Sequence, residues 1–241
     1  MAPRLDEFAS AYQPDFEFDF DNQLVLNLYP HLILEHITNR GSLLELGLGH
    51  GVTSNIFEGK FIRHAVVEGS QKVIDQFRAA NPDSTINVVH SLFEDYSPDI
   101  LFDIIIAGFV FEHVDDPASL MRRLRSWVRP GGIIAVTVPN AESMHRQIGL
   151  HAGFLKSLND LSPGDLQLGH QRLFTRTTLR DLYRVAQLAD PTILGLFLKP
   201  FTTAQLKQLS LSKQILDAMC HVGRDLPELC CAMLAIGHRD T

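Results

Sequence analysis

The chain is 241 residues long, 45% hydrophobic and 20% charged, with 16 Gly and 12 Pro; this fits one globular domain with a substantial core and excludes disordered and fibrous chains. A net charge of −7, from 21 basic and 28 acidic residues, argues against a face for nucleic acid or an anionic membrane. Three cysteines, of which Cys230 and Cys231 are adjacent, make no disulfide framework and suit a reducing compartment.

In chain order, the opening "MAPRLDEFASAYQPDFEFDFD" is acidic and has no apolar core of signal-peptide length, and a cytoplasmic location is expected. "FEFDF" (16–20) leads into "LVLNLYPHLILEHI" (24–37), predicted as a core-packing helix. "SLLELG" (42–47) reads as a short buried strand, and "HGVTSNIFEG" begins a helix. A second strand, "HAVVEG" (64–69), precedes the helix "SQKVIDQFRAAN", which Ser70 is placed to cap. A third strand is predicted over 84–90. The fourth, "LFDIIIAG" (101–108), has the branched apolar run of a strand buried on both faces. The longest apolar run, 104–111, is far short of a membrane span. "PASLMRRLRSWV" is a helix with Pro117 in its first turn, and "PGG" turns into a fifth strand, 133–140. The stretch 141–174 is mixed and rich in Gly and His, and reads as an excursion over the sheet edge. A helix from about 175 follows, capped by Thr175 or Thr177, then a strand from 192, one helix over 202–222 and a last strand in "ELCCAMLAIGHR". Repeated strand–helix units of this length imply a parallel sheet with helices on both sides.

The chemistry starts at "LLELGLGHG" (43–51), where Gly47, Gly49 and Gly51 open a helix after the first strand. That setting suits a nucleotide-type ligand, and Glu68, ending the second strand, stands where a carboxylate would grip a ribose diol. A dinucleotide fingerprint needs its third glycine one residue later than here. Glu45, just before the turn, favours a cationic ligand over a phosphate, although it could also simply pair at the strand end. S-adenosylmethionine carries an ammonium and a sulfonium and no phosphate, so the charges point to it.

These segments resemble a class I S-adenosylmethionine-dependent methyltransferase from about residue 42 to residue 140. "LLELGLGHG" is similar to that family's first motif and "VVEGS" to its second; "FDIIIAGFVFEHVDDP" resembles the fourth-strand motif and "VRPGGIIAVTVPN" the turn and strand that follow. The segment "LGHQRLFTRTTLRDLYRVAQL" resembles a bacterial small-molecule subset with an H-x-R-x-[FY]-[ST] stretch. The resemblance implies an α/β fold: a Rossmann-like, seven-stranded, mostly parallel doubly wound sheet with an N-terminal helical lid and an insertion after the fifth strand. It implies one domain, with a helical cap (1–40), a donor-binding core (41–140), an acceptor-side excursion (141–174) and C-terminal helices and strands (175–241).

The family pattern implies S-adenosyl-L-methionine as cofactor. Gly47, Gly49 and Gly51 would approach its methionine part, Glu45 would help orient the ammonium, and Glu68 would hold the ribose. Gly69, Ser70, Ser91 and Leu92 would surround the adenine; Ser91 stands where many members have an aspartate. Gly108 would touch the methionine portion with its carbonyl. Tyr12, Phe16 and Phe20 are lid candidates. Methyl transfer to a protonated oxygen or nitrogen can need a base, and His113, His170 and His145 are the candidates, with His113 placed first by its position after the fourth strand. The expected reaction is methylation of a small-molecule acceptor, with an oxygen, hydroxyl or carboxylate, favoured over nitrogen or carbon; the alternative class is a non-catalytic donor-binding domain. Arg172 and Arg176 could meet an anionic acceptor or be solvated. No metal ligand set is assigned: Cys220, His221, Cys230 and Cys231 match no zinc spacing, and the sequence leaves open whether a metal assists near Glu112 and His113.

Overall fold

The structure, a computed structural model, describes residues 19–241; the lid candidates Tyr12 and Phe16 lie outside them. A seven-stranded sheet runs in the order β3-β2-β1-β4-β5-β7-β6. Its strands are β1 (Ser42–Leu46), β2 (Arg63–Glu68), β3 (Asn87–His90), β4 (Phe102–Gly108), β5 (Val128–Pro139), β6 (Thr192–Gly195) and β7 (Ala232–His238). The first five pair in parallel, and β7 runs antiparallel to both β5 and β6. The chain leaves β1 toward β2 on one side and returns at β4 on the other, so a crevice opens beyond the carboxyl ends of β1 and β4.

Residue alternation covers both faces. Leu44, Leu46, Ile105, Ala107, Ile134 and Val136 point to one face and pack with α4 (Pro117–Trp127) and α7 (Arg176–Val185). Leu43, Ile104, Ile106 and Ala135 point to the other, under Val25, Tyr29 and Ile33 of α1 (Asp19–His36). Phe57 of α2 (Val52–Phe57), Leu206 of α8 (Thr203–Leu209) and Leu216 of α9 (Lys213–Gly223) complete that face. A smaller cluster sets Val66 and Leu48 against Val73, Ile74 and Phe77 of α3 (Gln71–Ala80). The predicted caps form as expected. Ser70 Oγ accepts from Val73 N–H on α3, and Thr175 opens a capping box on α7 with Thr178.

The excursion leaves and returns at the carboxyl end of β5, an interior strand rather than the expected sheet edge, where Ala141 N–H donates to the Phe174 carbonyl at 2.8 Å and Phe174 N–H to Pro139 at 3.2 Å. It carries α5 (Met144–His151) and α6 (Pro163–Gln167). Three further expectations are corrected. The fifth strand begins at Val128, because "RPGG" forms a bulge within it: Gly131 takes φ +75°, and a Cβ on Gly132 would lie 2.7 Å from Val128 and 2.8 Å from the Asp103 carbonyl. The sixth strand ends at Gly195; beyond it Leu196 N–H donates to the Ala232 carbonyl, Cys231 N–H to that of Phe197, and Leu198 bridges Cys230. The helix predicted over 202–222 is two helices. Ser210 turns left-handed at φ +47°, and Ser212 starts α9 by accepting from Ile215 N–H.

Candidate active site

The turn after β1 is left-handed at each glycine, with φ +79° at Gly47, +50° at Gly49 and +73° at Gly51, a conformation costly for residues with a Cβ. The glycines differ in what surrounds them. Among the described residues a Cβ on Gly47 would meet only Val110, at 3.8 Å, which leaves room above its backbone for a ligand. A Cβ on Gly51 would strike the Phe77 ring at 2.7 Å, so that glycine lets α2 pack against α3.

Glu68 holds this turn to the second strand. Its carboxylate accepts from Leu48 N–H at 2.9 Å and Ser70 N–H at 2.7 Å, with Gly69 N–H beside them. Burial nevertheless raises its pKa. Ser91 N–H donates to the Glu68 carbonyl and Ser91 Oγ to the carbonyl of Leu92, which also accepts from Asp95 and Tyr96. The Gly69 carbonyl lies 3.1 Å from His90 Nε2. Glu68, Gly69, Ser70, Ser91 and Leu92 thus converge on one rim beside the glycine turn.

Glu45 is buried beneath that rim. Its carboxylate accepts from Thr53 Oγ1 at 2.5 Å and Ser54 Oγ at 2.8 Å and pairs with His64 Nε2 at 3.1 Å, fastening the start of α2 to the sheet. Gly108, ending β4, lies under Tyr29, whose hydroxyl would be 2.2 Å from a Cβ there. Tyr29 also packs edge-on against Phe109, a residue at φ +55°. Helix α1 therefore covers the end of β4, with Phe20 packed on the adjoining core.

Past β4 the chain gathers a second polar group. Glu112 is fully buried, and apart from its own backbone N–H neither carboxylate oxygen has a hydrogen-bond partner among the described residues. Burial pushes its pKa up to about 7. The His113 ring packs against His170, with centroids 4.8 Å apart, and bonds the Gly169 carbonyl. Burial and the neighbouring His170 lower the His113 pKa to about 4. His170 Nδ1 lies 3.0 Å from Asp165 Oδ1. Although burial opposes it, hydrogen bonds from His170 and Ser162 hold Asp165 at about 2. An ionised carboxylate only accepts, so Nδ1 carries the proton, and in the neutral ring Nε2 is the acceptor. One ligand atom each from Glu112, His113 and His170 lie within 4.8 Å of one another.

Residues 22–190 match the family described as "Methyltransferase domain". The chain belongs to the methyltransferase-domain family. This methyltransferase takes S-adenosylmethionine as its methyl donor, and the open backbone at Gly47 beside the Glu68 rim fits that molecule. Solved structures share its fold at low identity. An S-adenosylmethionine-dependent methyltransferase from Thermotoga maritima is 16% identical over 98% of this chain and 99% of that one, with a TM-score of 0.65. The plantazolicin methyltransferase, solved with a substrate analogue and SAH, is 16% identical over 99% and 91%, with a TM-score of 0.61. A methyltransferase from Archaeoglobus fulgidus is 17% identical over 93% and 100%, with a TM-score of 0.59.

Of the methyltransferase's three candidate histidines, the fold brings His113 and His170 together and sets His145 elsewhere. His145 backbone N–H donates to the Lys199 carbonyl, its Nδ1 is buried without a partner among the described residues, and burial with the nearby Lys199 lowers its pKa to about 3. Arg172 is half-buried: it donates to the carbonyls of Phe111, Val114 and Asp115 and clamps the loop that carries Glu112 and His113. Arg176 is half-exposed and pairs with Glu228 at 3.7 Å. Tyr29 and Asp165 were not singled out by sequence, and Glu112 was named only, with His113, as a place where a metal could assist. Glu112 lay within the quoted E-H-V, and Asp165 within "SPGDL", whose Ser162–Asp165 spacing is a capping-box signature.

Proposed function

We propose that the chain methylates an oxygen of a small-molecule acceptor, a hydroxyl in preference to a carboxylate. The observation that supports this reading is the polar group Glu112–His113–His170 just beyond β4, with His170 oriented by Asp165 so that Nε2 can accept a proton. A carboxylate acceptor would need no such group. On the donor side, the backbone at Gly47 and Gly49 would approach the methionine part, with Gly51 allowing the turn. Glu68 would accept from the ribose hydroxyls, while Gly69, Ser70, Ser91 and Leu92 border the adenine. The Gly108 carbonyl would face the methionine portion under Tyr29. Glu45 acts on this site through Thr53 and Ser54, which it holds at the first turn of α2.

The donor supplies a methyl group already bonded to a good leaving group. The protein's part is to align acceptor oxygen, methyl and sulfur and to keep water out. His170 Nε2 takes the acceptor's proton as the oxygen attacks. No helix among the described residues is long and apolar enough to cross a membrane, and the free cysteines support a cytoplasmic setting.

The test is incubation with a metabolite extract and isotopically labelled donor, with mass spectrometry and NMR locating the new methyl group. An O-methylated product, with turnover lowered about 10²–10⁴-fold by His170→Gln, is expected. A product methylated on nitrogen, carbon or carboxylate would overturn the hydroxyl reading.

A further inference from the structure

We infer that Glu112, His113 and His170 form a binding site for one divalent cation of the zinc type. Three geometric features carry this. The ligand atoms lie within 4.8 Å of one another. Tetrahedral zinc, with bonds of about 2.0–2.1 Å, spaces its ligands about 3.3 Å apart, so side-chain rotations closing up to about 1.5 Å complete the set. Glu112 is fully buried, and apart from its own backbone N–H neither carboxylate oxygen has a partner among the described residues. A buried carboxylate in that state needs a proton or a cation, and no Lys or Arg ion pair reaches it among the described residues. Finally, each histidine has one nitrogen held by an acceptor, His170 by Asp165 and His113 by the Gly169 carbonyl. That arrangement fixes the ring and leaves the other nitrogen free, as in metal-bound histidines backed by a carboxylate or carbonyl.

Two imidazoles and one carboxylate make the donor set of a zinc site with an open fourth position. This deepens the reading of the acceptor side and rests on it for the cation's use, whereas binding itself needs neither donor nor acceptor. An acceptor hydroxyl entering the open position loses its proton to water. Its oxygen pair then forms the bond to the methyl carbon, and the carbon–sulfur pair stays on sulfur as the thioether. The cation takes the place of His170 Nε2 in activating the acceptor.

The test uses the full, untagged chain, stripped with a chelator and titrated with Zn2+ against a chromophoric competitor, with Co2+ absorption reporting geometry. One Zn2+ per chain and a tetrahedral Co2+ spectrum are expected. Glu112→Gln and His170→Ala should abolish both, and Asp165→Asn should weaken Zn2+ about 10–100-fold. His151→Gln, at an exposed histidine on α5, should bind as the parent does. Glu112→Gln replaces an unpaired buried charge by an isosteric amide, so it should stay folded while its melting temperature stops responding to Zn2+. Parent binding no tighter than that of Glu112→Gln, or Zn2+ taken up equally by every variant, would overturn the site. SAH affinity is measured alongside: a chain that binds SAH but not Zn2+ sinks this inference alone, and one that binds Zn2+ but not SAH sinks the donor assignment alone.

Discussion

Glu68→Ala tests the proposed donor site most directly, because that carboxylate would have two separable tasks. Toward the proposed ligand it would offer charged acceptors to two ribose hydroxyls, each worth about 1.5–3 kcal/mol. Their combined loss, about 3–6 kcal/mol, corresponds to a rise in Kd of about 10²–10⁴-fold. Toward the fold it accepts from Leu48 and Ser70 N–H. The rim is half-exposed, so water can replace those bonds, and about 0.5–1.5 kcal/mol for each gives a stability loss of about 1–3 kcal/mol. Calorimetry with S-adenosylmethionine and SAH should show equal losses, since both carry the ribose, while denaturant titration shows the smaller stability change. Glu68→Gln separates the tasks: its amide oxygen can still accept from Ser70, but its NH2 offers nothing to Leu48 N–H. Unchanged SAH affinity in a folded Glu68→Ala protein would refute the placement of the ribose.

Gly51→Ala should cost about 2–5 kcal/mol of stability, from left-handed strain and collision with Phe77. Gly47→Ala, with open space above it, should lose only the strain term but bind SAH far more weakly; denaturation and calorimetry on both variants check the contrast. Burial raises the thiol pKa of Cys220 from 9.0 to about 11 and of Cys230 to about 12, with Cys231 also raised. A folded-state pKa raised above the unfolded one stabilises below the unfolded value. Stability should therefore fall as pH climbs from about 9 toward 11–12, and the native thiols should resist alkylation at pH 8 until denaturant is added. Lys199 and Asp21 form a buried ion pair with Thr203, tying α1 to the start of α8. Lys199→Met should cost about 3–5 kcal/mol by stranding the carboxylate, and pairing it with Asp21→Leu should recover most of that in a double-mutant cycle.

Local patterns proved sufficient wherever a single residue type answers a local physical demand. The branched run 104–107 could only be a strand buried on both faces, Ser70 and Thr175 could satisfy orphan N–H groups at helix starts, and the glycines after β1 could take left-handed conformations. The split between α8 and α9 was hidden because one periodic apolar face runs through both, and the interruption depends on a left-handed serine that no propensity requires. The function of single glycines was equally illegible: Gly47 and Gly51 look alike in the chain, and only the packing of α3 distinguishes them.

The sequence by itself determined the strand–helix alternation, the carboxylate at the end of β2 and the donor chemistry these imply, because each rests on contacts between residues close along the chain. Tertiary structure alone decided which groups act on the acceptor. His170 and Asp165 reach His113 and Glu112 only because the excursion from 141 to 174 folds back to Phe174 beside Pro139. His145, on the same excursion, is turned instead toward Lys199. Whether a histidine meets a carboxylate across 58 residues, as His170 meets the neighbourhood of Glu112 (170 − 112), depends on where a long loop closes. Hydrophobic periodicity carries no record of that.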